Sequence, residues 1–192
     1  MKRATTAGIT TIELLVALPL GLGVIAGLLT GAAVGVRLLT HTMGRAEIHD
    51  IADLTIDAFR FDLRRTGFAP TITIADPIPL ARADRITLRA DLDGNGTIDT
   101  SSEETVSIAC LTSPARVSRI VGSQSLPLAN DVVSCGLRYF ANDGTQLVPG
   151  GGGLSTLDRQ RVAAVALAFT LESPWLHYRA SRDVFVSRPG AL

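Results

Sequence analysis

Oxygen-bearing side chains recur at alternate positions in the segment DLDGNGTIDTSSEE, which runs from Asp91 to Glu104. Asp91, Asp93 and Asn95 stand two residues apart, and Asp99 follows four residues later. Calcium is a hard cation that binds carboxylate and amide oxygens, so such donors on one short loop are candidate calcium ligands. The glycine at position 96 favours the tight turn that a loop of this kind requires.

The spacing resembles the EF-hand calcium loop, with Gly96 at its sixth position and Asp99 at its ninth. The twelfth position holds Ser102 where EF-hands have a bidentate Glu, and two glutamates follow one and two places late. The flanking segments are typical of strands, not helices. The alternative is a glycine-rich turn between two strands, in which Asp and Asn perform ordinary turn chemistry. Calcium binding is expected to be weak, because the bidentate ligand is missing or displaced.

Other chemistry has little support in the sequence. His41, His49 and His177 stand alone, and no G-x-S-x-G, H-E-x-x-H or P-loop pattern occurs, so we expect no enzymatic activity. The segment Ser173-Pro174-Trp175 is typical of a turn with an anchoring aromatic ring. The chain has 18 basic and 18 acidic residues, and this balance argues against a nucleic-acid partner.

One carboxylate, that of Glu13, stands at the edge of a long apolar segment. The 23 residues from Leu14 to Val36 carry no charge and would span about 34 Å as a helix, roughly the thickness of the hydrocarbon core. Lys2 and Arg3 precede the segment, so the N-terminus is expected in the cytoplasm and the remainder across the membrane. A secretory signal peptide is the alternative, but its apolar region would be shorter and would end at a small-residue cleavage site.

The N-terminal segment resembles the prepilin signal of type IV pilins and type II secretion pseudopilins. The resemblance rests on a basic leader, Gly8 and the segment ITTIELLVAL that begins at Ile9. It implies that a prepilin peptidase cuts between Gly8 and Ile9 and methylates the new N-terminus. Glu13 then becomes the fifth mature residue, the family's glutamate position, and is implied to pair with the amine of a neighbouring subunit. The alternative is that the Glu13 side chain only extends to the cytoplasmic lipid headgroups. Thr10 and Thr11 depart from the more apolar start that is usual in the family.

Glycines recur every fourth residue in the apolar segment, at Gly23, Gly27, Gly31 and Gly35. Small residues at this spacing let helix backbones approach closely in lipid, so the pattern predicts a helix-packing stripe. Glycine also weakens a helix, and Pro19 removes a backbone donor, so the segment is expected to bend readily. The alternative is that glycine is simply frequent in membrane helices.

The helix is expected to continue to Arg65 and to stop at Gly67 and Pro70. One apolar stripe is predicted in this second half, formed by Ile48, Ile51, Leu54, Ala58 and Phe61, and Phe59, Phe61 and Phe68 are expected in the core. Period-two alternation over 86–90, 106–110, 133–139 and 165–171, with a short last strand at 184–186, predicts an antiparallel sheet.

The predicted fold is therefore α+β, a long N-terminal helix packed on an antiparallel β-sheet head, as in pilins. The expected parts are a leader of residues 1–8, a transmembrane half-helix of residues 9–36, an amphipathic half-helix of residues 37–66 and a β-rich head of residues 67–192. The segment FDLRRTGFAP at the helix end also resembles minor pilins of the PilW type and J-type minor pseudopilins.

Two cysteines, Cys110 and Cys135, lie in the head, the part of the chain that is expected on the periplasmic side of the membrane. Their even number and an oxidising compartment favour a disulfide, which would stabilise a loop of this size by roughly 3 kcal/mol. The alternative is two buried thiols that behave as small hydrophobic groups.

The resemblance implies a minor pilin, nearest the PilW type, that initiates or caps a type IV pilus after processing. The expected partners are other minor and major pilins, the prepilin peptidase and the inner-membrane assembly platform. The protein would be located in the inner membrane, with the head in the periplasm, and then in the filament. A minor pseudopilin of type II secretion and a membrane-tethered periplasmic calcium-binding module are the alternatives. A bitopic enzyme is disfavoured because no catalytic set of residues is evident.

Overall fold

A computed structural model describes residues 11–172 and 179–187. Helix α1 runs without interruption from Thr11 to Arg65 and continues through Pro19. The contacts divide the chain between Gly44 and Arg45 into two compact units. The first unit contains the apolar part of α1, and the second contains the remainder of α1 together with the head.

Helix α1 ends where the sequence predicts. Gly67 has a φ of 81°, a left-handed conformation that a residue with a side chain rarely adopts. The Phe68 N–H donates to the Arg65 carbonyl at 2.9 Å, and the Gly67 N–H donates to the Arg89 carbonyl at 2.8 Å. The second bond attaches the end of the helix to the head.

In the described residues, the head contains two antiparallel sheets. The first sheet has five strands in the order β1-β2-β3-β4-β5, which are Leu80–Ala81, Arg85–Arg89, Thr105–Thr112, Ala115–Val121 and Gln124–Asn130. The second has four strands in the order β7-β6-β8-β9, which are Gln146–Leu147, Val132–Ala141, Val162–Glu172 and Arg179–Ser187. A short helix α2, Thr156–Arg161, precedes β8 and is capped by the Ser155 side chain.

The second half of α1 packs against this head and supplies part of one hydrophobic core. Its buried face consists of Ile48, Ala52, Ile56, Phe59 and Leu63. The opposing core positions include Ile86 and Ile108, which are paired across β2 and β3. Alternation places these side chains on the inner face of the sheet, as the period-two pattern predicts.

The predicted apolar stripe of α1 is wrong at two positions. Leu54 is 69% exposed and Phe61 is 59% exposed, whereas the neighbouring Phe59 is fully buried. Phe68, also expected in the core, is 55% exposed. The helix presents two candidate stripes about 100° apart, and the head covers the one that contains Phe59.

The predicted α+β class is confirmed: a long N-terminal helix packs on an antiparallel β head. The sequence predicts one sheet, and the structure has two. The chain passes from the first sheet to the second at Asp131, the one residue between β5 and β6, which has a φ of 56°. Asp is among the few residues that tolerate this conformation, so a single residue can redirect the chain there.

Candidate functional sites: the exposed helix and the acidic loop

The apolar part of α1 is a bare helical surface. In the part of the chain that the structure describes, α1 is the one helix long and apolar enough to cross a membrane. Large apolar side chains along it, such as Leu15, Leu22 and Leu28, are more than half exposed. A surface of this kind is costly in water and stable in lipid.

Glu13 lies in the first turn of α1, at one end of this apolar surface. A carboxylate is favoured at a helix N-terminus, because the first backbone N–H groups and the helix dipole point towards it. Gly8 and Ile9, the predicted cleavage site, lie outside the described residues, as do His177 and the segment 173–175.

The four glycines of the predicted packing stripe all lie on the open surface of α1. A Cβ built at Gly23, Gly27, Gly31 or Gly35 would meet nothing within 4 Å. Among the described residues, no contact within this chain requires a glycine at these four positions. The space beside each glycine can admit another helix.

The acidic loop joins β2 to β3 and is organised around the buried carboxylate of Asp91. Its Oδ1 accepts from the Gly94 N–H at 2.9 Å, and its Oδ2 accepts from the Gly96 N–H at 3.2 Å. Oδ2 also accepts from the Thr71 hydroxyl at 3.2 Å. Gly94 and Gly96 have φ values of 72° and 80°, so both glycines are required by the turn around this carboxylate.

Glu104 is the second buried carboxylate of the loop. Its Oε1 accepts from the Leu92 N–H at 2.9 Å, and its Oε2 accepts from the Asp99 N–H at 2.9 Å. These backbone hydrogen bonds, that from Asp99 above all, lower the pKa of the Glu104 carboxyl below its usual range. The carboxylate is therefore charged although its side chain is shielded from bulk water.

Asp91, Asp93 and Glu104 form a group that could bind a metal ion. One carboxylate oxygen from each lies within 4.8 Å of the others. Asp91 and Glu104 are buried, and Asp93 is exposed. The nearby negative charge of Asp91 opposes ionisation of Glu104, and a cation held between them would relieve that repulsion.

The other two predicted ligands, Asn95 and Asp99, accept hydrogen bonds from the backbone of the same loop. The Asn95 Oδ1 accepts from the Thr97 N–H at 2.7 Å, and the Asp99 Oδ1 accepts from the Ser101 N–H at 2.8 Å. Both side chains cap their own turns, which is the ordinary turn chemistry that the sequence left open. Glu104, which the predicted ligand set does not include, joins Asp91 and Asp93 in the acidic group and lies directly before β3.

A buried ion-pair network lies beside the loop. The Asp62 carboxylate of α1 is 1% exposed and accepts from the Arg119 Nε of β4 at 2.7 Å. The Arg119 guanidinium also pairs with Glu103, and these two carboxylates raise its pKa. The Arg119 hydrogen bond lowers the pKa of Glu103. Helix, sheet and loop are therefore joined at one guanidinium, an arrangement that sequence spacing does not reveal.

A disulfide joins Cys110 of β3 to Cys135 of β6, with a Cα–Cα distance of 5.7 Å. The bond connects the first sheet to the second, and both cysteines are partly buried against the core. Neither thiol is available for redox chemistry in this state.

Comparison with known proteins does not extend the prepilin resemblance. No protein-family model matches the chain. No curated protein matches it either.

Proposed function

We propose that this chain is a pilin-like membrane subunit, a minor pilin of type IV pilus assembly. The observation that carries the proposal is α1 itself: one unbroken helix has an exposed apolar first part and a second part that is packed on a β head. Such a helix suits a subunit that inserts through the exposed apolar part and is attached to its head through the packed part.

The proposed sequence of events begins with insertion, N-terminus in the cytoplasm and head in the periplasm. The prepilin peptidase then cuts between Gly8 and Ile9 and methylates the new amine. In the filament, Glu13 neutralises the Ile9 amine of a neighbouring subunit, since a buried carboxylate is tolerable in lipid only when it is paired. The glycine stripe admits the neighbouring helix. The partners are other minor and major pilins and the inner-membrane assembly platform.

Mass spectrometry of the mature N-terminus tests this proposal. Co-expressed with a prepilin peptidase, the chain should lose residues 1–8 and gain one methyl group on Ile9. Gly8→Val should block the cut, because a β-branched side chain crowds the scissile bond. An unchanged mass of the wild-type chain would refute the proposal.

Variants of Glu13 test assembly independently of processing. Glu13→Ala should insert at least as well as wild type, because it removes a carboxylate that is costly in the membrane. It should still be cut after Gly8, because the peptidase reads the residue before the cut. It should fail to co-purify with partner pilins. Glu13→Gln should resemble Ala, since an amide cannot neutralise an ammonium. Gly27→Leu with Gly31→Leu should weaken partner binding without affecting cleavage. Normal assembly of Glu13→Ala would contradict the pairing role.

A minor pseudopilin of type II secretion has the same architecture and would give the same results in these tests. The genes that neighbour this one, for a pilus or for a secretion machine, distinguish the two assignments.

Calcium binding by the acidic loop is part of the proposal and also supports a second function, that of a membrane-tethered periplasmic calcium-binding module. Asp91, Asp93 and Glu104 would hold the ion through carboxylate oxygens, the donors that calcium prefers. The module would keep an uncleaved N-terminus, so the mass measurement distinguishes it from a pilin.

Thermal unfolding with calcium and with chelator tests the site. For a Kd of about 0.1 mM, calcium at about 1 mM stabilises the folded state by roughly 1.4 kcal/mol, a shift of about 3–6 °C. Asp93→Asn should reduce the shift, because it removes charge and keeps the side-chain shape. Asp143→Asn is the matched control, an exposed Asp that caps another turn through the Thr145 N–H at 2.9 Å. Equal melting temperatures with calcium and with chelator would show that the acidic loop is a turn that does not bind calcium.

A further inference from the structure

The five strands of the first sheet contain four arginines and no acidic residue. Arg119 points inwards and pairs with Asp62 of α1 at 2.7 Å. The other three are Arg85, Arg89 and Arg116. They alternate along their strands with buried core residues, so their side chains lie on the face of the sheet that is turned away from the core. This outer face of the first sheet is therefore basic.

Each of the three arginines of the outer face lacks an acidic partner among the described residues. The ion pairs in this part of the chain all use other side chains. All three arginines are nevertheless partly buried. A guanidinium presents a planar fork of N–H donors that matches the oxygens of a carboxylate, a phosphate or the similarly shaped sulfate. The outer face is therefore suited to bind an oxyanion that comes from outside the chain.

Buried polar atoms without a hydrogen-bond partner are concentrated on the same face. Among the described residues, six such side-chain atoms occur, and four of them belong to the outer face. They are Nε of Arg89, Nε of Arg116, the Thr105 hydroxyl and the Ser118 hydroxyl. A buried polar atom without a partner costs free energy, and a ligand that forms hydrogen bonds with these atoms recovers that cost.

The strand register places two of the arginines around a floor of small side chains. Ala109 of β3 lies directly opposite Arg85 of β2 on one side and Ser118 of β4 on the other. Arg116 is two residues from Ser118 on the same face of β4. Ala109 and Ser118 are 1% and 0% exposed. Two long cationic side chains therefore flank a small buried floor, and both can reach an oxyanion that lies above it.

A second basic position lies farther along β2. Arg89 is four residues from Arg85, about 13 Å in a strand, and is paired with Thr105 of β3. Between the two positions, the Thr87 and Ser107 hydroxyls lie 2.8 Å apart, paired across the same two strands. The outer face therefore offers two oxyanion positions that are joined by a row of hydroxyl groups.

We propose that the outer face of the first sheet binds an acidic polysaccharide. One anionic group lies between Arg85 and Arg116, where it accepts hydrogen bonds from both guanidinium groups and from the Ser118 hydroxyl. The next anionic group along the polymer lies beside Arg89, and sugar hydroxyls between them bond to the row of hydroxyl groups. The inference concerns the head alone and goes beyond the proposed function, because it requires neither cleavage nor assembly.

Two other classes of polyanion suit this face less well. Single-stranded nucleic acids are bound by stacking of bases on aromatic rings, and the five strands contain no aromatic residue. Protein interfaces depend on buried aromatic anchors such as Trp and Tyr, whereas Thr87, Ser107 and Ala109 form the centre of this face. Hydroxyl groups without aromatic rings favour a ligand that is itself rich in hydroxyl groups.

Binding of a fluorescent heparin oligosaccharide to the full-length chain in mild detergent tests the site. Fluorescence anisotropy gives the Kd of the wild type and of each variant. Arg85→Gln with Arg116→Gln should weaken binding about tenfold or more, because hydrogen bonds between charged groups are lost. Arg60→Gln with Arg161→Gln is the matched control, since both arginines are exposed and lie outside this face. Loss of the same total charge there should change the Kd less than about threefold.

Ser118→Ala distinguishes a binding role from a structural one. Loss of the hydroxyl should weaken heparin binding about two- to tenfold. The Tm should stay the same or rise, because an apolar group replaces a buried hydroxyl that has no partner. An unchanged Kd for the double arginine variant would overturn the site, and an unchanged Kd for Ser118→Ala would remove Ser118 from it.

Competing polyanions identify the class of ligand. Polygalacturonate, whose charges are carboxylates, should displace heparin, and displacement by neutral dextran would overturn the requirement for charge. Inorganic sulfate should compete weakly, and Arg89→Gln should weaken heparin binding more than sulfate binding, because only the polymer reaches both positions. Double-stranded DNA or polyglutamate that binds more tightly than either polysaccharide, and depends on Arg85 and Arg116, would overturn the assignment to polysaccharides.

The N-terminal mass of the same samples separates this inference from the proposed function. Cleaved and uncleaved chains should bind heparin equally, because the outer face lies in the head. A processed chain that does not bind refutes this inference and leaves the proposed function standing. An unprocessed chain that binds refutes the pilin assignment and leaves this inference standing.

Discussion

Replacement of Asp62 is expected to lower the free energy of unfolding substantially, because its carboxylate is buried and paired with two arginines. Its carboxylate accepts from Arg119 Nε at 2.7 Å, Arg119 Nη2 at 3.0 Å and Arg65 Nη2 at 2.7 Å. Asp62→Ala removes all three bonds and leaves the Arg119 side chain, 15% exposed, beside Glu103 alone. Breaking a buried ion pair costs about 3–5 kcal/mol. Because Glu103 still compensates part of the charge, we expect the lower end, about 3 kcal/mol.

Asp57→Ala is the matched control. Asp57 also lies on α1 and also pairs with an arginine three residues later, but that pair is exposed. Exposed pairs of this kind contribute about 0.3–0.5 kcal/mol. Replacing Asp by Ala improves helix propensity to a similar extent at both positions, so the difference between the two variants isolates the buried network.

Thermal unfolding of the full chain in mild detergent, followed by circular dichroism, measures both variants. At about 2–4 °C per kcal/mol, Asp62→Ala should lower the Tm by roughly 6–12 °C and Asp57→Ala by about 2 °C or less. Arg119→Met is also made in the wild-type chain and in the Asp62→Ala chain, which completes a double-mutant cycle. The coupling energy between Asp62 and Arg119 should exceed about 1 kcal/mol. Equal Tm values for the two alanine variants would refute the reasoning, because burial would then make no difference to the pair.

Three further predictions concern the head. Cys110→Ala with Cys135→Ala removes the disulfide, whose cysteines are 25 residues apart. The free energy of unfolding, measured by thermal unfolding, should fall by about 3.5 kcal/mol, and an unchanged value would contradict a stabilising role. The pKa values of Glu103 and Glu104 are lowered by Arg119 and by the Asp99 N–H respectively, so their stabilisation is complete above the ordinary pKa of about 4.3 and is lost as pH falls through the lowered value. The Tm of Glu104→Gln should therefore fall less steeply than that of wild type below about pH 5, and parallel curves would oppose this. Tyr139→Phe removes a buried hydrogen bond of 2.6 Å to the Arg82 carbonyl and should cost about 1 kcal/mol, whereas an unchanged Tm would mean that water satisfies that carbonyl.

Periodicity in the sequence predicts helices and strands well but leaves the choice of buried face open. In the second half of α1, one stripe contains Leu54 and Phe61 and another contains Phe59 and Leu63, and both have helical spacing. Packing against the head decides which stripe is covered, because close-packed core residues accept large side chains only where they leave room.

In the acidic loop, too, the sequence predicts some of the grouped residues and tertiary structure decides the others. The sequence correctly identifies Asp91 and Asp93 as neighbours, because residues two apart in a turn stay close. The predicted ligand set also contains Asn95 and Asp99, and it does not include Glu104, which lies thirteen residues after Asp91. A distant residue joins the group only because β2 and β3 pair antiparallel, with Leu88 opposite Val106, so that the two ends of the loop meet.

Local patterns in this sequence therefore determined what depends on near neighbours: the apolar helix of membrane length, its end at Gly67, the alternating strands and the turn chemistry of the loop. Tertiary structure alone decided what depends on contacts between distant segments. These are the division of the head into two sheets, the buried carboxylate of Glu104, and the contact of Asp62 with Arg119, which lie 57 residues apart. The physical reason is that helix and strand periods act over a few residues, whereas ion pairs and metal ligands are selected by proximity after folding.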